Sequence, residues 1–176
     1  MTFRDLIRPQ FCLIALLTLV FASATLPVGA APARDAVEIQ IPALGIDANI
    51  TEFPLDGTSW AISPWETGIG HFQGTGWFDA PGNIALGGHS WMPGNMPGIF
   101  YKLDTIQRGD EVIVYVNGEE RRYAVSKITS VPLNDLSVVY PTTTEQITLI
   151  TCEPGSYDPN SARYERRVVV TARRED

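Results

Sequence analysis

Short runs of alternating apolar and polar residues, separated by turns rich in glycine and proline, fill most of the chain after residue 36. The run VEIQIPALGI, residues 37–46, alternates as a half-buried strand does, and its Pro42 favours a sheet edge or a bulge. Further strands are expected at residues 49–53, 83–88, 111–118, 119–131, 146–152 and 166–174. Many short strands at close spacing predict a mostly β domain that forms a closed or nearly closed barrel.

The remaining segments predict turns, loops and one short helix. Asn117-Gly118 is a strong hairpin signal, and RGD at 108–110 is interpreted as a turn before a strand, not as an adhesion motif. Residues 98–106 predict a short helix with Phe100, Leu103 and Ile106 on one apolar face. Residues 55–70 predict a loop with at most a helical turn, and the segment GIGHFQGTGWFDAPGN around His71 is expected to be irregular.

The N-terminus has the pattern of a targeting segment. Arg4 and Arg8 precede an uncharged stretch, residues 11–33, with the apolar centre FCLIALLTLVFA. Such a stretch is an export signal or a membrane anchor, and either predicts an exported, extracytoplasmic domain. We expect anchorage in the membrane by this segment, with cleavage near residues 22–30 as the alternative. The predicted division is residues 1–35 as signal or anchor and linker, and residues 36–176 as the folded domain.

Charge and cysteine content narrow the class of function. The net charge of −7 argues against a nucleic-acid partner, which would need a basic surface. The two cysteines are Cys12, in the apolar N-terminal segment, and Cys152. Because Cys12 is not expected to reach Cys152, the exported domain carries one free thiol in an oxidising compartment. Such a thiol is a liability unless it is buried or used.

Cys152 ends an apolar predicted strand just before a loop with Pro154 and Gly155, which places its thiol at the rim of a sheet. A thiol is mostly protonated at neutral pH, so a nucleophilic role needs a base or a cation nearby. The two histidines are His71 and His89, and His89 also follows a strand, NIALGG. A buried structural cysteine and hydrogen-bonded loop histidines are the alternative interpretation. One Cys and two His without close spacing make a weak zinc site, and no metal is expected.

The cationic candidates follow the cysteine in sequence. Arg163, Arg166 and Arg167 lie in or before the last predicted strand. Arginine offers fixed donors to a carbonyl or a developing oxyanion, although a solvated strand flank would hold arginines too. Strand alternation puts Arg166 and Arg167 on opposite faces, so only one of them can face the thiol.

Three motifs in order resemble the sortase family of cysteine transpeptidases, and a class D- or E-like member in particular. TLITC at 148–152 is similar to the sortase cysteine signature, NIALGGHS at 83–90 to the histidine strand, and RVVVTA at 167–172 to the last strand. The flanking segments IQIPALGIDANI and GIGHFQGTGWFDAPGN also resemble the family, so the likeness covers residues 37–172.

This resemblance implies a closed eight-stranded β-barrel with short helices and a two-step acyl transfer. Cys152 would attack the threonyl carbonyl of an LPxTG-like sorting motif, His89 would move protons, and Arg167 would hold the substrate or the oxyanion. Thr151 and Arg166 are expected as substrate contacts, with Arg166 as the alternative to Arg167. His71 is expected to be structural. The connection at 131–144 lies where the family's substrate-selecting loop would be.

The implied partners are sorting-motif proteins and an amine acceptor, either a cell-wall peptide or a pilin lysine, with no cofactor. The work would be surface-protein anchoring or pilus assembly. Two alternatives remain open. In the first, water resolves the thioester and the protein is a cysteine peptidase. In the second, the chain is a non-enzymatic exported β-domain.

Overall fold

Eight strands close into a barrel in the computed structural model, which describes residues 37–175. The strands are β1 Val37–Ile41, β2 Ile46–Phe53, β3 Ile69–Phe72, β4 Asn83–Gly87, β5 Glu111–Val116, β6 Glu119–Pro132, β7 Gln146–Cys152 and β8 Arg166–Arg174. Around the barrel they lie in the order β1-β2-β3-β4-β7-β8-β6-β5, and β5 pairs with β1. The expected mostly β, closed eight-stranded barrel is confirmed.

The connections hold only short elements. The 3-10 helices are Pro42–Leu44, Leu103–Thr105, Leu136–Val139 and Pro154–Ser156. Three small antiparallel pairs join Leu55–Asp56 to Ser59–Trp60, Trp91–Met92 to Met96–Pro97, and Tyr157–Asp158 to Arg163–Tyr164. No helix within residues 37–175 is long and apolar enough to cross a membrane. The predicted N-terminal signal or anchor, with Cys12, lies outside the described residues.

The predicted strand at 37–46 is in fact the first hairpin. Pro42 has no N–H to donate and begins a 3-10 turn, and Gly45 closes that turn with φ of +66°. Ile41 and Ile46 then pair across β1 and β2. By contrast, the Asn117-Gly118 hairpin is confirmed, since both residues have positive φ, 55° and 80°.

The predicted helix at 98–106 is reduced to the 3-10 turn Leu103–Thr105. The apolar face was nonetheless predicted correctly, because Phe100, Leu103 and Ile106 are all buried, at 4% exposure or less. Three apolar residues at helical spacing fix which side chains enter the core. They do not fix how much of the segment closes helical hydrogen bonds.

The segment around His71, expected to be irregular, contains strand β3, and all four of its residues are buried. Gly70 of β3 pairs with Gly87 of β4. The ring of Phe53 occupies the space that a Cβ on Gly70 would need, and the ring of Phe72 does the same above Gly87. The glycines therefore mark a close packing of aromatic rings on two strands, not an irregular loop.

The barrel interior is filled by apolar side chains from alternate strand positions and from the segment between β4 and β5, which supplies Phe100 and Leu103. The largest are Tyr123, Phe100, Ile39, Ile41, Ile69, Ile84, Leu86, Leu103, Ile147 and Leu149. Each large apolar side chain that is fully buried contributes about 1.5–3 kcal/mol from removal of its surface from water. Since Leu149 of β7 faces the interior, its neighbour Ile150 faces outward, where it packs in a second cluster with Phe53 and Phe72.

Two long connections run back along the outside of the barrel. Strands β2 and β3 are parallel, so residues 54–68 must return the length of the sheet. Strands β6 and β7 both pair antiparallel with β8 and are thus parallel to each other, so residues 133–145 must do the same. These two return connections flank the outer face of β7 on which Ile150 lies.

Candidate active site

Cys152 is the last residue of β7 and lies directly opposite Arg167, the second residue of β8. Opposed residues on antiparallel strands point to the same face of a sheet. Arg167 therefore shares the outer face with Cys152, and Arg166 points the other way. The register thus brings one of the two candidate arginines to the thiol.

Arg166 makes contacts of a structural kind. Its Nε donates to Ser130 Oγ at 2.7 Å, its Nη2 donates to the Ser130 carbonyl at 3.0 Å, and Nε lies 3.2 Å from a carboxylate oxygen of Glu153. These bonds tie β8 to β6 and to the residue after Cys152. The interpretation of Arg166 as a substrate contact stays a prediction, and these bonds give it another role.

The Arg167 guanidinium is held by the backbone beside the cysteine. Its Nη1 donates to the carbonyls of Tyr164 and Arg166, each at 3.0 Å. Burial raises the pKa of the Cys152 thiol above its ordinary value, and the positive charge of Arg167 opposes that rise. Cys152 is a free thiol. Desolvation is the larger of the two effects, so the resting thiol is protonated at neutral pH.

His89 follows the end of β4 by two residues, and β4 is parallel to β7. Gly87 pairs with Ile150, so continuation of the register by two residues brings His89 level with Cys152. Two hydrogen bonds extend the pairing past the strand. Gly88 N donates to the Ile150 carbonyl at 3.3 Å, and Thr151 Oγ1 donates to the Gly88 carbonyl at 2.8 Å.

The ring of His89 is oriented by the return connection 54–68. Its Nε2–H donates to the Ser63 carbonyl at 2.9 Å. A carbonyl only accepts, so in the neutral ring the proton is on Nε2 and Nδ1 carries the lone pair. Within residues 37–175, Nδ1 has no hydrogen-bond partner. Nδ1 is therefore the nitrogen that can take a proton.

The backbone of His89 is fixed by the segment that follows it. The Phe100 N–H donates to the His89 carbonyl at 3.0 Å, and the Gly98 N–H donates to the Ser90 carbonyl at 2.9 Å. A Cβ on Gly98 would lie 2.7 Å from the Cβ of His89 and closer still to its carbonyl group. Only glycine allows this approach, so Gly98 helps to set where His89 stands.

Thr151 and His71 both lie inside the fold. Thr151 is 3% exposed, and its hydroxyl donates to the Gly88 carbonyl. Since Thr151 precedes Cys152 and Gly88 precedes His89, this bond links the two candidate residues through their neighbours. Its predicted substrate contact stays a prediction. His71 is fully buried, donates from Nε2 to the Gly76 carbonyl at 2.8 Å, and packs edge-on against Trp77. These contacts agree with the structural role expected for His71.

A groove of about 340 Å³ begins at Arg167 and runs between the two return connections. Ile150 and Phe72 form its floor, and Arg167 forms one end. Apolar and polar residues of the two connections form the walls: Thr58, Ser59, Trp60, Ile62, Leu133, Asp135, Leu136, Val138 and Val139. An extended peptide with apolar side chains fits this shape and chemistry.

A second cleft, of about 310 Å³, borders the chain segments that leave the two candidate residues. Trp91 lies two residues after His89, and Pro154 lies two residues after Cys152, so each is within roughly 7 Å of its candidate along the chain. Tyr101, Lys102, Asp104 and Thr105 complete the lining. No cluster of three or more potential metal ligands occurs in the described part of the chain.

Several residues of the site escaped the sequence analysis. Ser63, Trp60 and Leu136 lie in connections without periodicity. The closed topology brings Ser63 to His89, and it brings Trp60 and Leu136 to the groove that ends at Arg167. Asn83, whose amide donates to the carbonyls of Val138 and Tyr140 in the connection that lines the groove, was predicted only as the first residue of a strand. A polar side chain at the start of an otherwise apolar strand was the one signal that could have singled it out.

A family model of the sortase domain matches residues 39–175. The chain belongs to the sortase family. Among curated relatives, Sortase A of Bacillus anthracis is 35% identical over 83 residues, which are 47% of this chain and 38% of that protein. Sortase D of Bacillus subtilis (strain 168) is 27% identical over 135 residues, 74% of this chain and 62% of that protein. The match to Sortase D fits the expected class D-like resemblance, and the chain spans less than two thirds of the length of either relative.

Solved sortase structures share the fold. Sortase A from Corynebacterium diphtheriae, in a lid mutant, aligns with a TM-score of 0.64 at 27% identity, covering 83% of this chain and 73% of that one. A Clostridium perfringens Sortase D5 transpeptidase aligns with a TM-score of 0.63 at 22% identity, covering 81% and 79%. The second likeness is one of fold alone.

Proposed function

We propose that this protein is a sortase-type cysteine transpeptidase that cleaves a sorting motif after threonine and passes the acyl group to an amine. The observation that carries the proposal is the register that sets Cys152 opposite Arg167 and level with His89. This register sets a thiol beside a cation and an imidazole level with the thiol, and the cation lines one end of an apolar groove. Membership of the sortase family supports the same chemistry.

In the first half-reaction, Sγ of Cys152 bonds to the threonyl carbonyl carbon, and the thiol proton passes to Nδ1 of His89. The C–N bond to the next residue then breaks, and the leaving amine takes the proton back from His89. The product is a thioester, which keeps the acyl group reactive. Because burial keeps the resting thiol protonated, His89 must act as its base.

In the second half-reaction, an amine attacks the thioester carbonyl and gives its proton to Nδ1 of His89. The C–S bond breaks, an amide forms, and the proton returns to the sulfur. In both halves negative charge develops on the carbonyl oxygen. Arg167, fixed by the carbonyls of Tyr164 and Arg166, supplies donors to that oxygen or to the substrate backbone.

We assign the acyl donor to the groove between the return connections. An LPxTG-like motif presents apolar side chains before its threonine, and Ile150, Phe72 and Leu136 offer matching surface. The leading part of the motif would lie toward Val139, and the threonine would lie beside Arg167.

We assign the amine acceptor to the second cleft. Asp104 offers a carboxylate to the amino group of the acceptor, and Trp91, packed edge to face against Tyr101 at 5.4 Å, offers an aromatic ring. The ring of Tyr101 is already occupied by Lys102, whose Nζ lies 5.5 Å from the ring centroid. Cell-wall peptides and pilin lysines both carry such an amine. The biological role would be surface-protein anchoring or pilus assembly. The domain would act outside the cytoplasm, with the apolar N-terminal segment as a membrane anchor.

The proposal is tested with the purified full chain and a set of LPxTG- and LAxTG-type peptides, with and without an amine. We expect cleavage at threonine and, with amine present, a ligated product, both lost in Cys152→Ala. Cleavage without any ligated product would instead support the cysteine peptidase. If no peptide is cut and a thiol reagent leaves Cys152 unlabelled, the binding-domain alternative replaces catalysis.

A further inference from the structure

The amide of Asn83, the first residue of β4, uses its full hydrogen-bonding capacity. Its side chain is 2% exposed. The two Nδ2 hydrogens are donated to the carbonyls of Val138 at 2.9 Å and Tyr140 at 3.0 Å. Its Oδ1 accepts from Thr148 Oγ1 at 2.6 Å and from Gln146 Nε2 at 3.2 Å. One side chain therefore joins β4, β7 and the return connection 133–145.

Residues 136–142 of the return connection 133–145 form the wall of the groove on this side. The two hydrogen bonds from Asn83 to the carbonyls of Val138 and Tyr140 attach this wall to the barrel. Within residues 37–175, no other hydrogen bond joins residues 136–142 to the rest of the barrel. The Asp135 carboxylate accepts from Ser137 within the connection itself, and Leu133 N donates to the Glu165 carbonyl before that stretch begins. The wall is shaped internally but attached through Asn83.

Packing supports the wall on one side only. Toward the groove, Val139 packs with Phe53, Phe72 and Ala85. Behind the wall lies a third cavity, of about 250 Å³ and separate from the groove and from the second cleft. It is bounded by Val138 and Tyr140 of the wall and by outward-facing side chains of β6 and β8: Lys127, Thr129, Val169 and Thr171. This space gives the wall room to move away from the groove if its hydrogen bonds are lost.

We propose that Asn83 is a positioning residue that fixes the wall of the acyl-donor groove and so sets the affinity for the sorting motif. The inference rests on the proposed function of the groove. Asn83 is at the start of β4, and His89 follows the end of β4, so Asn83 acts on binding and not on the proton transfers. Loss of Asn83 should therefore raise KM and leave kcat unchanged.

The test compares Asn83→Asp with Thr148→Val in the full chain. Asp keeps the shape and the Oδ1 acceptor, but it places an oxygen against two carbonyls and loses both bonds to the wall. Val at position 148 removes a donor to Oδ1 and leaves the wall bonds in place, which makes it a matched control. Asn83→Ala serves as the second variant if the carboxylate prevents folding.

Two readouts decide the outcome. Hydrogen exchange of peptides from residues 133–145 should rise in the Asn83 variants, and KM for the peptide should rise about tenfold or more, as expected for two buried hydrogen bonds. The value of kcat and the rate of Cys152 alkylation should stay within about twofold of wild type, and Thr148→Val should change KM less. Unchanged exchange in the wall, or faster exchange with unchanged KM, would overturn the proposal.

The two proposals fail in different ways. If the wild-type chain cleaves no peptide, the proposed function fails and with it the role of Asn83 in binding. The exchange measurement still decides whether Asn83 holds the wall. If wild type cleaves peptide and the Asn83 variants match it in KM, the inference alone fails.

Discussion

Cys152 and Arg167 face each other across the last pair of the β7–β8 ladder, the thiol on one strand and the guanidinium on the other. Their proximity is set by backbone register, which a flexible loop could not maintain as well. Arg167 is held further by two backbone carbonyls. A shift of the ladder by one residue would exchange Arg167 for Arg166 at the thiol, which explains why neighbouring arginines can have different roles.

Arg167→Ala should lower kcat/KM for peptide cleavage by roughly 100- to 1000-fold, the cost typical of the loss of a donor to a developing oxyanion. Arg167→Lys should recover little of this, since an ammonium cannot reproduce the fork of donors. Steady-state kinetics with a sorting-motif peptide measures both effects.

Arg166→Ala is the matched control for that experiment. Its bonds go to Ser130 and Glu153, so we expect a loss of stability of about 1 kcal/mol and less than about tenfold change in turnover. A larger loss of turnover for Arg166→Ala than for Arg167→Ala would reverse the assignment.

Alkylation of Cys152 should depend on pH with a midpoint above that of a free cysteine, about 8.5. Burial raises the pKa of the Cys152 thiol, so little thiolate is present at pH 7 and alkylation is slow. The alkylation rate should rise as the pH passes the pKa of the thiol in the folded protein. Arg167→Ala removes a charge that favours thiolate, so the midpoint should rise further. Mass spectrometry of the labelled Cys152 peptide gives the rates separately from Cys12. A midpoint below that of free cysteine would show a preformed thiolate instead.

Gly98→Ala should displace His89, because the new methyl group would meet the carbonyl group and Cβ of His89. We expect a loss of unfolding free energy of about 1–3 kcal/mol, as for other overpacked sites, and at least a tenfold loss of turnover. Thermal melting and peptide kinetics measure the two effects. Gly82→Ala is the control, since its Cβ would meet only Gly76 at an ordinary 3.7 Å. Equal activity of the two variants would contradict the role given to Gly98.

Trp91→Ala should reduce ligation without reducing thioester formation, because Trp91 lines the second cleft and not the groove. The ratio of ligated to hydrolysed product at fixed amine concentration should fall several-fold. The rate of peptide consumption without amine should stay equal to that of wild type. Chromatography of both products gives this ratio. A fall in peptide consumption with an unchanged ratio would place Trp91 on the acyl-donor side.

The sequence was informative where local chemistry decides structure. Apolar and alternating runs predicted most of the barrel strands, with β3 missed and the run 37–46 taken as one strand. Asn117-Gly118 predicted its hairpin, because left-handed backbone at two successive positions favours these residues. Strand alternation also showed that only one of Arg166 and Arg167 could face the thiol. Cys152, His89 and Arg167 as catalytic residues stay predictions, now with a geometry to test.

The sequence was less informative where a tertiary contact decides. Strand β3 was missed because Gly70 has low strand propensity, and the reason for that glycine is the ring of Phe53 above it. The groove wall from residues 54–68 was missed because the course of that connection depends on the parallel pairing of β2 and β3. For the other wall, only the resemblance to the sortase family indicated a substrate-selecting loop at 131–144, because the return of this connection follows from the pairing of β6 and β7 with β8. Asn83 was missed because its partners are backbone carbonyls 55 and 57 residues later.

Mass spectrometry of the intact protein after brief mixing with a sorting-motif peptide tests the central claim most directly, which is acyl transfer through Cys152. The predicted result is a mass increase equal to the acyl part of the peptide, from its first residue through threonine, less the thiol hydrogen that it replaces. It should map to Cys152, be removed by added amine as ligated product appears, and be absent in Cys152→Ala. Accumulation in His89→Ala should be slowed, since the thiol would lack its base. Cleavage of the peptide without any adduct on Cys152, or cleavage that persists in Cys152→Ala, would contradict the account.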